Sequence, residues 1–370
     1  MKVLFICAAY PLPPATKRDR RLLNIMKQLR KQGHTLYYAG FSSNPKPDKN
    51  PLFRTLCVRT PAGEPDFKHK PEPVFREQIY QETLKLAPEL IFVYGIEAAP
   101  LAPFEAHIPS VADFRRCEYI TVQKENAQGG FLQKLTGAVE WSRIASLETS
   151  LASKFATVFL PRERDVYYLN KQSALNLTVL PEAIDTELYD IEAWEPQFDR
   201  LLWTGSVMEE GNFNAVKRYK DLYGKEFYRQ GAILYVTGKY QEAHKNALFC
   251  DYIQPLGFIK DMREAYKISQ AVVIPISGGI GAVGKITEAM ACGVPVISTR
   301  DGAEGLRLSG KDECILIANT PEEMIKAWER LGDRDFADGL RRNARRFVEE
   351  NYSWAANGSL LKEELDKAVR

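Results

Sequence analysis

Apolar residues recur along this chain in two alternating rhythms. Short continuous runs such as Val3–Ala9, Leu90–Tyr94 and Ala271–Ile276 are rich in branched side chains, as strands buried on both faces of a parallel sheet require. Between such runs the apolar positions fall three and four apart: Leu22, Ile25, Met26 and Leu29 share one face of a helix that Gly33 should stop. In the first half this rhythm predicts strands over Val3–Ala9, His34–Phe41, Leu52–Arg59, Leu90–Tyr94, Ile108–Ala112, Thr157–Leu160 and Leu177–Leu180. Helices are expected over Arg20–Gln32, Val74–Leu86, Val139–Ser153 and from about Arg162, with Asn44–Asn50 a loop and Gln123–Gly137 a mobile, polar one.

The same grammar starts again after an acidic stretch, Asp190–Pro196, read as a linker. Strands follow at Arg200–Thr204, Ala232–Thr237, Tyr252–Leu256, Ala271–Ile276, Val294–Ser298 and Cys314–Ala318. Helices are expected at Asn214–Tyr223, Glu242–Leu248 and Lys260–Ser269, after the glycines that follow Ile276, and three times before Arg370. Two rounds of alternation imply an α/β protein of two doubly wound, Rossmann-like domains facing each other across a cleft.

Length fits that division, since 370 residues exceed one ordinary core. A hydrophobic content of 45% and a charged content of 26% are those of a soluble globular protein. A net charge of +2 gives no global pull on nucleic acid, and no apolar run is long enough to span a bilayer. The N-terminal Met-Lys-Val-Leu-Phe-Ile reads as a first strand, too short for a signal peptide. Six scattered cysteines without a C-x-x-C pair suit reduced, structural thiols, and the expected location is the cytoplasm.

Candidate chemistry concentrates between Ile274 and Thr299. A strand runs into Gly278, Gly279, Gly281 and Gly284, then a helix, a Gly293 stop and another strand. Glycines between a strand tip and a helix start let backbone approach an anion that unpaired N–H groups and the helix dipole favour. Lys285 and Glu288, three apart, share a face of that helix. One can neutralise phosphate while the other accepts from ribose hydroxyls. The alternative is a glycine-rich turn with a surface Lys and Glu, and the loop is neither G-x-G-x-x-G nor G-x-x-x-x-G-K-[ST].

In the first half, Lys17, Arg18, Arg20 and Arg21 lie beyond the carboxyl end of the first strand, where open α/β sheets bind ligands. A phosphate-bearing acceptor or peripheral contact with the anionic inner face of a membrane would account for them. Asp113, Arg115 and Glu118 fall at a strand tip or just after it, in what could equally be a capped, exposed loop.

The run Lys285-Ile-Thr-Glu-Ala-Met-Ala-Cys-Gly-Val-Pro-Val-Ile-Ser-Thr299 followed by Asp301-Gly-Ala-Glu-Gly-Leu306 resembles the retaining group 1 glycosyltransferases with the GT-B fold. Gly33-His34, Trp203-Thr-Gly-Ser206 and Asn351-Tyr-Ser-Trp354 are similar to the same family. The resemblance implies an acceptor-side domain over residues 1–189, completed by helix 355–370, and a nucleotide-sugar-binding domain over 197–354. It implies a hexosyltransferase that moves sugar from a UDP- or GDP-linked donor to a hydroxyl of a glycan, lipid-linked or protein acceptor. Retention, no metal ion, no tightly bound cofactor and a role in bacterial surface glycan synthesis belong to the same implication.

By this resemblance Glu288 holds the donor ribose and the Gly278–Gly281 loop, with Gly279, faces the donor sugar and diphosphate. Gly257 and Ile259, in Leu256-Gly-Phe-Ile259, stand where the family brackets the nucleobase with backbone. Gly205 and Ser206 open the second domain beside the diphosphate, and Asp113 with Arg115 is expected to contact acceptor or transferred sugar. The chain also departs from the pattern. Ile280 replaces a second glutamate, and the usual Arg and Lys after the first strand of domain two are replaced by Ser206, Gly211 and Asn212, leaving Lys285 to supply the charge. A nucleotide-sugar epimerase of the same architecture and a catalytically inactive binding subunit remain the rival readings. Asp333-Arg-Asp335 has the letters of a metal-binding D-x-D but lies between helices.

Overall fold

The computed structural model describes all residues except 15, 43–49, 61–66, 69–71, 121–130, 190–193, 279–281 and 309–312, and except the side chains of 17 and 131–139. Gly279 and Gly281, and parts of the expected loops at Asn44–Asn50 and Gln123–Gly137 and of the Asp190–Pro196 linker, lie outside the described residues. The chain forms two compact units, Met1–Glu182 with Asn357–Arg370, and Ala183–Ala356.

Among the described residues the first unit holds seven parallel strands: β1 (Lys2–Cys7), β2 (Thr35–Phe41), β3 (Arg54–Arg59), β4 (Leu90–Tyr94), β5 (Ser110–Asp113), β6 (Thr157–Leu160) and β7 (Leu177–Val179). Their order in space is β3-β2-β1-β4-β5-β6-β7, every neighbouring pair parallel. Its helices with both ends described include α1 (Lys17–Lys31), α2 (Pro73–Leu86), α3 (Phe131–Ala152) and α4 (Glu163–Asn170), with 3-10 turns at Ile96–Leu101 and Phe104–Ala106.

Helix α1 begins three residues before the expected Arg20. Thr16 accepts from the Asp19 N–H while Asp19 accepts from the Thr16 N–H, a reciprocal cap that fixes the start. Its predicted apolar face is buried, with Leu22, Ile25, Met26 and Leu29 inside. Helix α3 corrects the loop expected up to Gly137, since residues from Phe131 are helical. Phe131, Leu135 and Val139 recur four apart, a helical spacing that Gly137 concealed.

Among the described residues the second unit holds six strands: β8 (Gln197–Trp203), β9 (Ile233–Thr237), β10 (Ile253–Gly257), β11 (Ser269–Ile274), β12 (Val296–Ser298) and β13 (Leu316–Ile317). They too are parallel, in the order β10-β9-β8-β11-β12-β13. Its helices are α5 (Glu210–Leu222), α6 (Gly224–Arg229), α7 (Glu242–Leu248), α8 (Met262–Lys267), α9 (Val283–Ala291), α10 (Pro321–Arg330) and α11 (Arg334–Asn351). Residues 194–196, within the expected linker, pack on this unit: Trp194 is buried and donates from Nε1 to the Ser269 carbonyl.

The last helix, α12 (Trp354–Ala368), crosses the boundary at Ala356. Beyond it, Leu361 and Leu365 are fully buried, Asn357 donates to the Pro181 carbonyl, and Gln32 donates to that of Gly358. Each sheet has its own core, and in each the strand order reverses beside its first strand, between β1 and β4 and between β8 and β11. Ligands of open α/β sheets bind outside the carboxyl ends at such reversals. Among the described residues no helix is long and apolar enough to cross a membrane.

Candidate active site

In the second unit the reversal puts the tips of β8 and β11 side by side. After β8 the chain turns through Gly205 at φ +119°, a conformation that favours glycine, and the Gly205 N–H donates to Thr237 Oγ1 at 3.2 Å. A Cβ on Gly205 would lie 3.0 Å from Lys285 Nζ and 3.0 Å from Asn212 Nδ2. An ammonium and a carboxamide from two different helices thus converge on this one backbone position. Asn212 is held by donation to the Ser206 carbonyl at 2.8 Å, and Lys285 Nζ lies 5.6 Å from the centre of the buried Trp203 ring.

The turn is braced from behind. Gly238, at φ +100°, packs so closely that a Cβ there would come within 2.6 Å of Ser206 N and Cα. Ser206 Oγ donates to the Lys239 carbonyl at 2.8 Å and accepts from the Met208 N–H. The Gly238 N–H donates to the Gly257 carbonyl at 2.7 Å, which ties the β8 and β9 turns to the end of β10. Ile259 is half-buried and packs on the core of this unit, while Phe258 beside it is 75% exposed.

Beyond β11, Gly278 at φ +70° donates to Asp301 Oδ2 at 2.7 Å. Thr299 Oγ1 donates to the Ile276 carbonyl and accepts from the Gly302 N–H, and the Gly302 carbonyl takes the Ala282 N–H at 2.8 Å. The loop and the start of α9 are therefore suspended from the turn after β12. At that start Ala282 provides no side-chain cap, the first turn carries no acidic residue, and Lys285 occupies it. The Val283 and Gly284 N–H groups have no intrahelical acceptor, so dipole and ammonium add at one spot. A positive charge in the first turn of a helix is unfavourable by itself, and an anion offsets it.

One turn further, Glu288 is half-buried, and Tyr266 Oη donates to its Oε2 at 3.5 Å. Burial, and next the Glu288 charge, push the Tyr266 hydroxyl well above its ordinary range, and the same causes lift Tyr189 and Cys292 to about 12. These groups stay neutral around the carboxylate, and Tyr266 can only donate to it. Sequence reasoning singled out Gly205, Ser206, Lys285 and Glu288, named Asn212 only as a replacement for a missing charge, and gave no task to Tyr266 or Gly238. A phenol on a buried helix reads as core, and Asn212 reaches the site only through the bend at Ser206.

In the first unit Asp113 ends β5 and is fully buried. Its Oδ2 accepts from Arg21 Nε at 2.9 Å and its Oδ1 from the Arg115 N–H at 2.9 Å. Arg21 spends its remaining nitrogens on the carbonyls of Pro181 and Leu180, at 2.9 and 2.8 Å. Burial raises the Asp113 carboxyl; it also opposes the Arg21 charge, but Asp113 and Glu182 outweigh it and hold Arg21 above its ordinary value. This takes Arg21 out of the basic cluster expected at Lys17–Arg21, while Arg20 is exposed. Arg21 is an interior anchor between the ends of β5 and β7, with a side chain only 2% exposed.

Arg115 takes a left-handed backbone (φ +64°), pairs with Glu97 and lies 5.8 Å from the centre of the Tyr94 ring. Burial works against its charge, but Glu97 more than compensates and raises it. Asp333, the first letter of the D-x-D, caps α11 by accepting from the N–H groups of Asp335 and Phe336.

Two Rossmann-like parallel sheets, with glycine turns at the strand reversal of the second, make an architecture of the GT-B class. Residues 199–334 match the family model described as glycosyl transferases group 1. No curated protein sequence shows a significant match. Among solved structures the chain is similar to sucrose-phosphate synthase from Thermosynechococcus elongatus, at 16% identity and a TM-score of 0.67 over 99% of this chain and 98% of that one. It is also similar to HepE of Anabaena in complex with UDP-glucose, at 14% identity and a TM-score of 0.62 over 99% and 100% of the two chains. WaaG, a glycosyltransferase involved in lipopolysaccharide biosynthesis, aligns at 14% identity and a TM-score of 0.62 over 97% and 98%. At these identities the likeness is one of fold.

Proposed function

We propose that this protein transfers a hexosyl group from a nucleoside diphosphate sugar to an acceptor hydroxyl, with retention and without a metal ion. The observation that carries the reading is the convergence of Lys285 and Asn212 on Gly205, at the strand reversal that also sets the uncapped start of α9. As the bond from anomeric carbon to phosphate breaks, the diphosphate gains negative charge. Fixed N–H groups and an ammonium lower that barrier by several kcal/mol because they need no rearrangement when the charge appears. Glu288, oriented by Tyr266, accepts from the ribose hydroxyls. The acceptor hydroxyl attacks from the face the diphosphate leaves. Arg115 meets acceptor or transferred sugar, and Asp113 with Arg21 positions the turn that carries it.

UDP is the first donor to try, because HepE is described in complex with UDP and with UDP-glucose. WaaG's place in lipopolysaccharide biosynthesis supports a bacterial surface glycan as product. Six free thiols support a reducing, cytoplasmic location. In a melting panel with UDP, GDP and ADP, the true donor base raises the midpoint most. Lys285→Ala lowers turnover roughly 100- to 1,000-fold, and Glu288→Ala weakens donor binding. Retention of wild-type nucleotide affinity and turnover by both variants would overturn the assignment, as would strict dependence of transfer on a divalent ion for the metal-free step.

A further inference from the structure

The first unit carries an open cavity of about 780 Å³ whose lining includes none of the residues assigned above. Its apolar lining includes Phe67 ahead of α2, Phe104 in a 3-10 turn, and Leu147 and Leu151 on α3. Around them stand four cations, Lys68, Arg76, Arg143 and Lys154, against one lining carboxylate, Glu105. Arg143, Leu147 and Leu151 recur four apart, so one stripe of α3 passes from charge to hydrocarbon. Arg76 is taken by Glu105, at 2.6 Å to Oε2, and Lys68 lies 3.7 Å from Glu140. Arg143 and Lys154 are exposed, and Lys154 Nζ stands 5.1 Å from the centre of the Phe104 ring. The volume lies in the range of small-molecule sites.

A free phosphate would leave the apolar surface wet, and a neutral hydrocarbon would engage neither Arg143 nor Lys154. We propose that this cavity binds an amphipathic anion, the phosphate head and alkyl chain of a lipid, with the phosphate on Arg143 and Lys154 and the chain along Phe104, Leu147 and Leu151. Such a site holds the first unit against a lipid surface independently of sugar transfer.

Decyl phosphate, decanol and inorganic phosphate, titrated calorimetrically into the full-length protein, test this. Decyl phosphate is expected to bind, and each of the other two to bind roughly tenfold more weakly or worse. The double variant Arg143→Glu/Lys154→Glu, both sites being exposed and its fold checked by melting, should lose decyl phosphate roughly tenfold while Lys326→Glu on α10 keeps it. Equal binding of inorganic phosphate would reduce the site to a charged patch, and equal binding of decanol to a greasy one. Undiminished decyl phosphate binding by the double variant, or displacement by UDP, would place the ligand elsewhere. Each of these results overturns the proposal without touching the assignment of the donor site, which the nucleotide panel reads separately.

Discussion

Single atoms decide much at the strand tips. Gly238 touches backbone rather than a movable side chain, so Gly238→Ala must push the Ser206 turn aside and is expected to cost about 2–4 kcal/mol. Gly339, in the middle of α11 with nothing within 4 Å of an added Cβ, should behave oppositely. Gly339→Ala is expected to add about 1 kcal/mol, and urea unfolding of the two variants side by side checks both. Asp113 is a third such point. Asp113→Ala leaves Arg21 charged in the interior, and the loss expected is roughly 3–5 kcal/mol, larger than for Asp113→Asn, which still offers Arg21 an acceptor. These three residues differ in legibility. An aspartate at a strand tip is visible in the sequence, but its partner lies 92 positions away and looked like part of a surface cluster.

The elements were legible where pattern and punctuation agreed. Helix α9 shows how far this reaches: its glycines, its Lys285 and its Glu288 are adjacent in sequence, so a local reading could group them as one candidate seat. It did not find what holds the seat, because Asp301, Thr299 and Tyr266 arrive from other elements by hydrogen bonds no spacing announces. Helix α3 holds a second concealed device. Glu148 is fully buried and accepts from the N–H groups of Glu118 and Tyr119 at 2.9 and 3.0 Å. Burial lifts its carboxyl from 4.5 to about 7 against those hydrogen bonds. The folded state therefore holds a proton that the unfolded chain releases, and stability falls as pH rises from about 4.5 to about 7. The fall is on the order of 3 kcal/mol. Glu148→Gln should remove this slope, measured as unfolding free energy against pH, whatever it does to the absolute value.

For the whole molecule, the alternation of strands and helices was enough to predict two parallel sheets, because each βα unit is decided within about 30 residues. The return of the last helix to the first unit was implied only by resemblance. It depends on Leu361 and Leu365 finding a core that was built more than 180 residues earlier. Truncation after Ala356 uncovers both leucines and removes Glu364 from Thr157 and Thr178. The first unit's transition is expected to drop by roughly 3–6 kcal/mol from the two side chains alone, with the second unit's transition unchanged in the same calorimetric scan.

Because Met1–Glu182 is completed only by Asn357–Arg370, the unit translated first cannot be finished first. The 174 residues of Ala183–Ala356 emerge whole and can close while the earlier half waits with an open seam. On the ribosome, then, assembly runs against the direction of synthesis, and Asn357–Arg370 acts as the clasp on a seam laid down before the second unit was made.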